Sequence, residues 1–311
     1  MKSADTTSGS EHAADQISEP VIAIKTDEKV YIGTVTDDIV LRKAKEVIGR
    51  GQADAFYVSE VAAVSRRLKL WRECLPDVEL FYAMKANNDE AILKKIIDEG
   101  HNFDCASMNE IEKVLALGAL PSNIIFAHPV KKVEHIIYAM QKGINLMTFD
   151  CVEEAAKMMR VNPKSEGVLR IVVDKTDARC PLNKFGAPKS SYGAILDMCK
   201  SIGMKVRGVS FHVGSGGCSY EVYEEAVKNA KLVFEMAKAR GMPELDLLDI
   251  GGGFSMTAAN PLNNFNIVAP KIDQLLKREF PNRKKVRVIA EPGRFICQES
   301  LNLAMKINLA K

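Results

Sequence analysis

Four stretches of the chain carry residue types that could do chemistry. Lys85 closes the apolar run FYAMK, and Ala86, Asn87, Asn88 and Asp89 follow at once. An ammonium at the end of a buried-looking strand has two readings. Either its stem packs while its head reaches water, or it is a chemically used amine. Burial readily lowers a lysine's pKa and makes it a Schiff-base former. The string GGG at 251–253 can bring backbone N–H groups close to an anion, although a tight turn uses the same residues. EPGR at 291–294 sets a carboxylate near a guanidinium whose fork suits phosphate; a surface or helix-capping arginine is the plain alternative. FHVGSGG at 211–217 adds a histidine and a serine hydroxyl.

Composition narrows what these groups belong to. A chain of 311 residues, 47% hydrophobic and 27% charged, can bury a sizeable core. The net charge of +3 is spread along the sequence, so no basic stripe invites nucleic acid. No apolar run approaches the length of a bilayer span. Residues 1–20 contain nothing resembling a signal peptide and read as a disordered tail. Seven cysteines without framework spacing or a C-x-x-C pair argue for a reducing compartment, hence a cytoplasmic protein, and against a metal site.

The elements that must position these residues are legible as a rhythm. Short apolar runs fall at 78–84, 102–105, 123–127, 144–149, 167–173, 206–212, 245–250 and 286–290. Helical patterns lie between most of them, such as DEAILKKIIDEG at 89–100, with Gly100 as its stop, and the long segment 219–240 before Gly241. Continuous apolar strands alternating with helices predict an α/β fold with a parallel sheet, and eight units predict a (β/α)8 TIM-type barrel. A doubly wound sheet is the alternative, but no G-x-G-x-x-G follows the first strand.

In such a barrel the strands' C-terminal ends form the working rim. Read in order, those ends carry Lys85, Asp104, His128, Asp150, Arg170, His212, Asp249 and Glu291, with the glycine turns among them. GGG follows strand seven and Arg294 follows strand eight, where barrels often hold a phosphate. Ser215 can add a hydroxyl to the same anion. A lysine, a phosphate cradle and a carboxylate on one rim predict pyridoxal 5′-phosphate (PLP). Glu291 is suited to hold the pyridine nitrogen protonated, and His212 could stack on the ring. Asp104 could orient the lysine, or instead cap the helix that begins near residue 107. His128 is read as structural.

The strings FYAMKANN, FDCAS, LRI, KFGA, GVSFHVGSG, LLDIGGGF and EPGRF, in this order from about residue 54 to 309, resemble the eukaryotic ornithine decarboxylase family. That is the barrel-type group of PLP-dependent decarboxylases. The resemblance implies Lys85 as the lysine that carries the cofactor, Glu291 facing the pyridine nitrogen and His212 stacked on the ring. Ser215, Gly252, Gly253 and Arg294 would hold the phosphate, Asp104 and Arg170 would lie around the cofactor, and Glu110 nearby. Lys184 would pair with an acidic group of a partner subunit in a homodimer. The implied reaction converts L-ornithine to putrescine and carbon dioxide, a step of polyamine biosynthesis, with an antizyme-type regulator as a further partner.

Family members continue well over a hundred residues past EPGRF into a β-domain that completes the site across the dimer. The organisation expected here is a tail (1–20), an N-terminal segment of that β-domain (21–53), the PLP-binding barrel (54–300) and the start of the C-terminal β-domain (301–311). VYIGTV at 30–35 is expected as the one β-domain strand ahead of the barrel, with its edges unpaired. A fragment or truncated ornithine decarboxylase, doubtful in activity alone, heads the readings. A non-catalytic regulator of the antizyme-inhibitor type and a stand-alone PLP-carrying barrel follow it.

Overall fold

A computed structural model describes residues 21–23, 30–32, 37–51 and 55–304, apart from Asn183 and Arg283. The expected tail lies outside the described residues.

The chain enters through two short strands, β1 (Val21–Ala23) and β2 (Val30–Ile32), then α1 (Asp37–Gly49) and β3 (Phe56–Glu60). Helix α2 (Val61–Cys74) leads into the barrel, whose first half is β4 (Glu79–Ala83), α3 (Glu90–Asp98), β5 (Asn102–Cys105), α4 (Met108–Ala116), β6 (Ile124–Phe126), α5 (Val133–Gln141), β7 (Leu146–Phe149) and α6 (Val152–Val161). The second half is β8 (Glu166–Ile171), α7 (Tyr192–Ser201), β9 (Lys205–Phe211), α8 (Tyr220–Ala239), β10 (Leu247–Asp249), α9 (Phe265–Glu279) and β11 (Arg287–Ala290). The described chain ends with α10 (Arg294–Cys297) and β12 (Leu301–Ala304).

Strands β4 to β11 close into a parallel barrel, each of the eight expected runs supplying one strand. Alternation along each strand divides the core in two. Phe81, Ile125, Ala127, Val168, Leu247 and Ile289 fill the inside of the barrel. The neighbours of these residues, such as Tyr82, Phe126 and Leu248, face the surrounding helices. At the N-terminal rim, ion pairs tie strand to strand: Arg287 Nε to Glu79 Oε1 at 2.7 Å, and Arg207 Nε to Asp246 Oδ1 at 2.6 Å.

The remaining strands form an antiparallel sheet in the order β12-β3-β1-β2. This corrects the expectation of a single strand before the barrel. Val30–Ile32 pairs with Val21–Ala23, and β1 in turn pairs with β3. Three-residue strands are too short to show a period of two in the sequence, which is why β1 escapes notice. Phe56–Glu60 pairs with Leu301–Ala304, joining the sheet rather than the barrel.

Barrel closure demands one unusually close approach. A Cβ on Gly208 in β9 would sit 1.7 Å from the backbone oxygen of Leu247 in β10. Backbone cannot yield as a side chain can. Gly208→Ala is therefore expected to destabilise the chain by more than about 3 kcal/mol, because two barrel strands would have to part. Urea unfolding followed by circular dichroism checks this.

Candidate active site

Lys85 stands just past its strand. β4 stops at Ala83, and Met84–Ala86 form a single 3₁₀ turn that lifts Lys85 onto the C-terminal rim. Tyr82, fully buried, donates its hydroxyl to the Asn87 carbonyl at 2.9 Å and fixes that turn. The Lys85 ammonium is paired with the Asp104 carboxylate, whose side chain is 0% exposed while the lysine retains 49%. The lysine keeps that surface because it lines an open cavity, yet barrel-end atoms surround it. Burial alone would lower its pKa; Asp104, then Glu291, outweigh this and hold it up at about 12. The Lys85 amine is a protonated group in this arrangement.

Asp104 is not the cap of the following helix. Ser107 takes that place, accepting the Glu110 N–H at 3.3 Å, while the Glu110 carboxylate reaches back to the Ala106 N–H. This capping box frees Asp104 for the lysine. Glu110 lies close enough to feel both partners, and burial pushes its carboxyl up.

Next to the lysine strand, β11 and then β10 and β9 end in the glycine turns. Gly253 has φ +104°, and a Cβ there would meet the Gly214 oxygen at 2.5 Å. A Cβ on Gly252 would lie 2.6 Å from the Glu291 oxygen and 3.0 Å from His212 Nε2. No side chain fits between these turns. Gly217 N–H donates to the Gly253 carbonyl at 2.9 Å, locking the two loops together. Ser215 is clamped by two backbone bonds with Cys180, each 2.9 Å. Next to Gly253, Phe254 stands edge-on to Trp71 at 5.0 Å and stacked on Tyr223 at 5.5 Å, which anchors the turn in the helical layer.

His212 accepts the Gly214 N–H on Nδ1 at 3.0 Å. Burial, then the charges of Arg170 and Lys85, push its pKa down to about 3. The ring is neutral across the physiological range, with Nδ1 unprotonated and Nε2 left to carry the hydrogen.

Lys85, His212, Ser215, Gly253, Glu291 and Arg294 line one cavity of about 410 Å³. Gly252 underlies His212, and Asp104 backs Lys85. Arg170, on the same face of β8 as Val168, acts on His212 and Asp249, and its guanidinium lies 5.6 Å from the centre of the Phe185 ring; Lys184 covers the same ring at 5.2 Å and lies at the exposed rim. His128 faces Phe185 edge-on at 5.8 Å and accepts the Val130 N–H at 3.1 Å. Leu182 and Cys297 also line the cavity and were not singled out in the sequence, since neither type signals a site by itself. Asp150, which accepts the Gly186 N–H at 2.8 Å and holds the KFGA turn, had only its strand-end position as a signal.

Glu291 is 8% exposed, and its Oε1 has no hydrogen-bond partner among the described groups. Burial first, then the neighbouring Asp249 charge, push its carboxyl well above the usual carboxylate range. A buried carboxyl with a free oxygen facing a cavity calls for a donor or a cation. A pyridinium ring that also bears a phosphate fits this donor set: an amine, a carboxylate, bare glycine turns, a hydroxyl and a guanidinium on one cavity. Among the described residues no group of acidic, histidine and cysteine side chains could hold a metal, and no helix is long and apolar enough to cross a membrane.

A closed parallel barrel with this rim defines a barrel-type pyridoxal protein. Residues 61–298 match the family described as "Pyridoxal-dependent decarboxylase, pyridoxal binding domain", and the chain belongs to that family, whose cofactor is PLP. It is 40% identical to an ornithine decarboxylase of Mus pahari over 276 residues, 88% of this chain and 59% of the relative. It is 39% identical to antizyme inhibitor 2 of Xenopus laevis, over 88% of this chain and 60% of the relative. The solved structure of the arginine decarboxylase of Paramecium bursaria Chlorella virus superposes with a TM-score of 0.79 at 35% identity, covering 86% of this chain and 71% of that one. The chain thus spans 59% of the length of the ornithine decarboxylase it matches.

The pKa of Glu291 lies above its unfolded value, so its contribution to stability is full below about pH 4.3 and is lost as pH rises toward the raised value. Glutamine removes that dependence and offers Asp249 a donor. Glu291→Gln is expected to stabilise the cofactor-free chain by about 1–3 kcal/mol at pH 8, with a smaller gap at pH 5. Urea titrations of both proteins at the two pH values check the sign.

Proposed function

We propose that this chain is the cofactor-holding barrel of an ornithine decarboxylase, acting on L-ornithine to release carbon dioxide and putrescine. The observation that carries the reading is the meeting of Lys85, Glu291, His212, Ser215, Gly253 and Arg294 on one cavity. Identity to an ornithine decarboxylase at 40% supports the substrate. Bound PLP supplies a ring that takes up the electron pair left when the carboxylate departs.

The chain's own residues do the rest. Lys85 carries the cofactor, and Asp104 holds its amine on the rim. Glu291 faces the ring nitrogen as the carboxylate that keeps it protonated. His212, neutral and fixed through Nδ1, packs on the ring. Ser215, Gly252, Gly253 and Arg294 hold the phosphate, and Arg170 adds positive charge beside His212. Lys184, at the exposed rim, is placed to meet an acidic group of a second subunit in a homodimer. Seven free cysteines fit a cytoplasmic setting.

A second reading has its own support, because identity to an antizyme inhibitor is nearly as high over the same span. In that reading the barrel is a non-catalytic regulator that engages an antizyme-type partner.

The test mixes the 311-residue chain with a full-length ornithine decarboxylase whose own cofactor lysine is replaced by alanine, so that only the added barrel offers a working lysine. Carbon dioxide release is measured from ornithine, arginine and lysine. The expected result is turnover of ornithine in the mixture, cut by about 10²-fold or more in Lys85→Ala. Preference for arginine or lysine would overturn the substrate, and PLP binding without turnover in any mixture would favour the regulator.

A further inference from the structure

Asp249 has no part in the roles above. It ends β10, is 0% exposed, and its Oδ1 accepts the Gly251 N–H at 2.8 Å. Asparagine would serve that turn equally well, so the turn does not account for a second anionic oxygen. Asp249 Oδ2 is buried without a hydrogen-bond partner among the described groups, and so is Glu291 Oε1.

The two carboxyls lie within hydrogen-bonding reach of each other. Strand pairing brings them there. Asp249 stands opposite Ile289, and the Glu291 N–H donates to the Gly251 carbonyl at 2.8 Å. The charges around the pair come from Asp104 on β5, Lys85 after β4 and Arg170 on β8. Both cations act on the pair from a distance and lower its carboxyls less than burial raises them. The Lys85 ammonium is bonded to Asp104, and the Arg170 guanidinium lies 5.6 Å from the centre of the Phe185 ring. Two buried anions side by side repel, whereas one proton between them turns two orphan acceptors into one hydrogen bond.

We propose that Asp249 is a positioning residue that shares one proton with Glu291, so that the pair holds a single negative charge aimed at the ring nitrogen of the cofactor. The inference rests on the reading of Glu291 as the partner of that nitrogen. With a cation facing Glu291, the proton settles on Asp249 Oδ2 and the negative charge on Glu291. No proton enters or leaves the pair.

Infrared spectra of the cofactor-free chain test this directly. The wild type at pH 7 should show the carbonyl stretch of a buried protonated carboxyl. Asp249→Asn and Glu291→Gln should each lose it, because the remaining carboxylate then has an amide donor and no like charge beside it. A merely structural Asp249 would leave the band unmoved, since asparagine keeps the bond to Gly251. Circular dichroism confirms that each variant is folded, and the two variants probe the pair from opposite sides. Absence of the band in the wild type, or its survival in both variants, overturns the shared proton. Titration of the same wild-type sample with PLP separates the two readings. A chain that takes up PLP without the band overturns the shared proton alone. A chain that shows the band but takes up no PLP overturns the reading of Glu291 and, with it, the role of Asp249 toward the cofactor.

Discussion

Everything at the rim depends on closing eight parallel strands into one ring. Only closure brings the end of β4, with its lysine, around to the ends of β9, β10 and β11 with their glycine turns. The contact that sets the spacing is backbone on backbone: Gly208 lets β9 lie against Leu247 with no room for a methyl group. From there the geometry passes outward in steps. β10 and β11 run in register, Gly251 and Glu291 bond across the gap, and the loop holding Ser215 is tied to Gly253. Aromatic packing of Phe254 on Trp71 and Tyr223 fastens the same turn to the helices outside. The loops of the site are stitched to one another by backbone bonds and held by close packing.

The electrostatics show what such a site costs a protein before its cofactor arrives. Asp104, Asp249 and Glu291 are all buried within one rim, and each keeps an oxygen with no hydrogen-bond partner among the described groups. Lys85 is paired directly with Asp104 and acts on Glu291 only at longer range. A hydrophobic core would not tolerate the remainder, whereas a cationic ring facing it offsets the charge. His212 fits the same logic from the other side, held neutral by burial so that it adds no charge to a surface already occupied by Lys85 and Arg170. Folding stability and cofactor binding are therefore opposed at these positions.

The barrel was legible because its strands are continuous apolar runs cut by polar strand ends, a pattern that local composition alone displays. The lysine, the glycine turns, Glu291 and Arg294 were legible for the same reason, each following a strand. What escaped was set by pairing between distant segments. Three-residue β1 has too few residues to alternate, and Phe56–Glu60 reads as any short strand until Leu301–Ala304 lies beside it. Asp249 was visible as a letter in DIGGGF, but its meaning comes from Glu291, 42 positions later, across one strand pair. The capping box at Ser107 and Glu110 shows that Asp104 is not the cap, and only the folded helix end reveals which residue is.

The central claim is that Lys85 is the group to which PLP attaches. Reconstituting the chain with PLP, treating it with borohydride and mapping the labelled peptide tests it most directly. The account predicts that the cofactor is fixed to the peptide containing Lys85 and that Lys85→Ala retains no label after denaturation. Stable labelling at another lysine, such as Lys131 or Lys184, would contradict it.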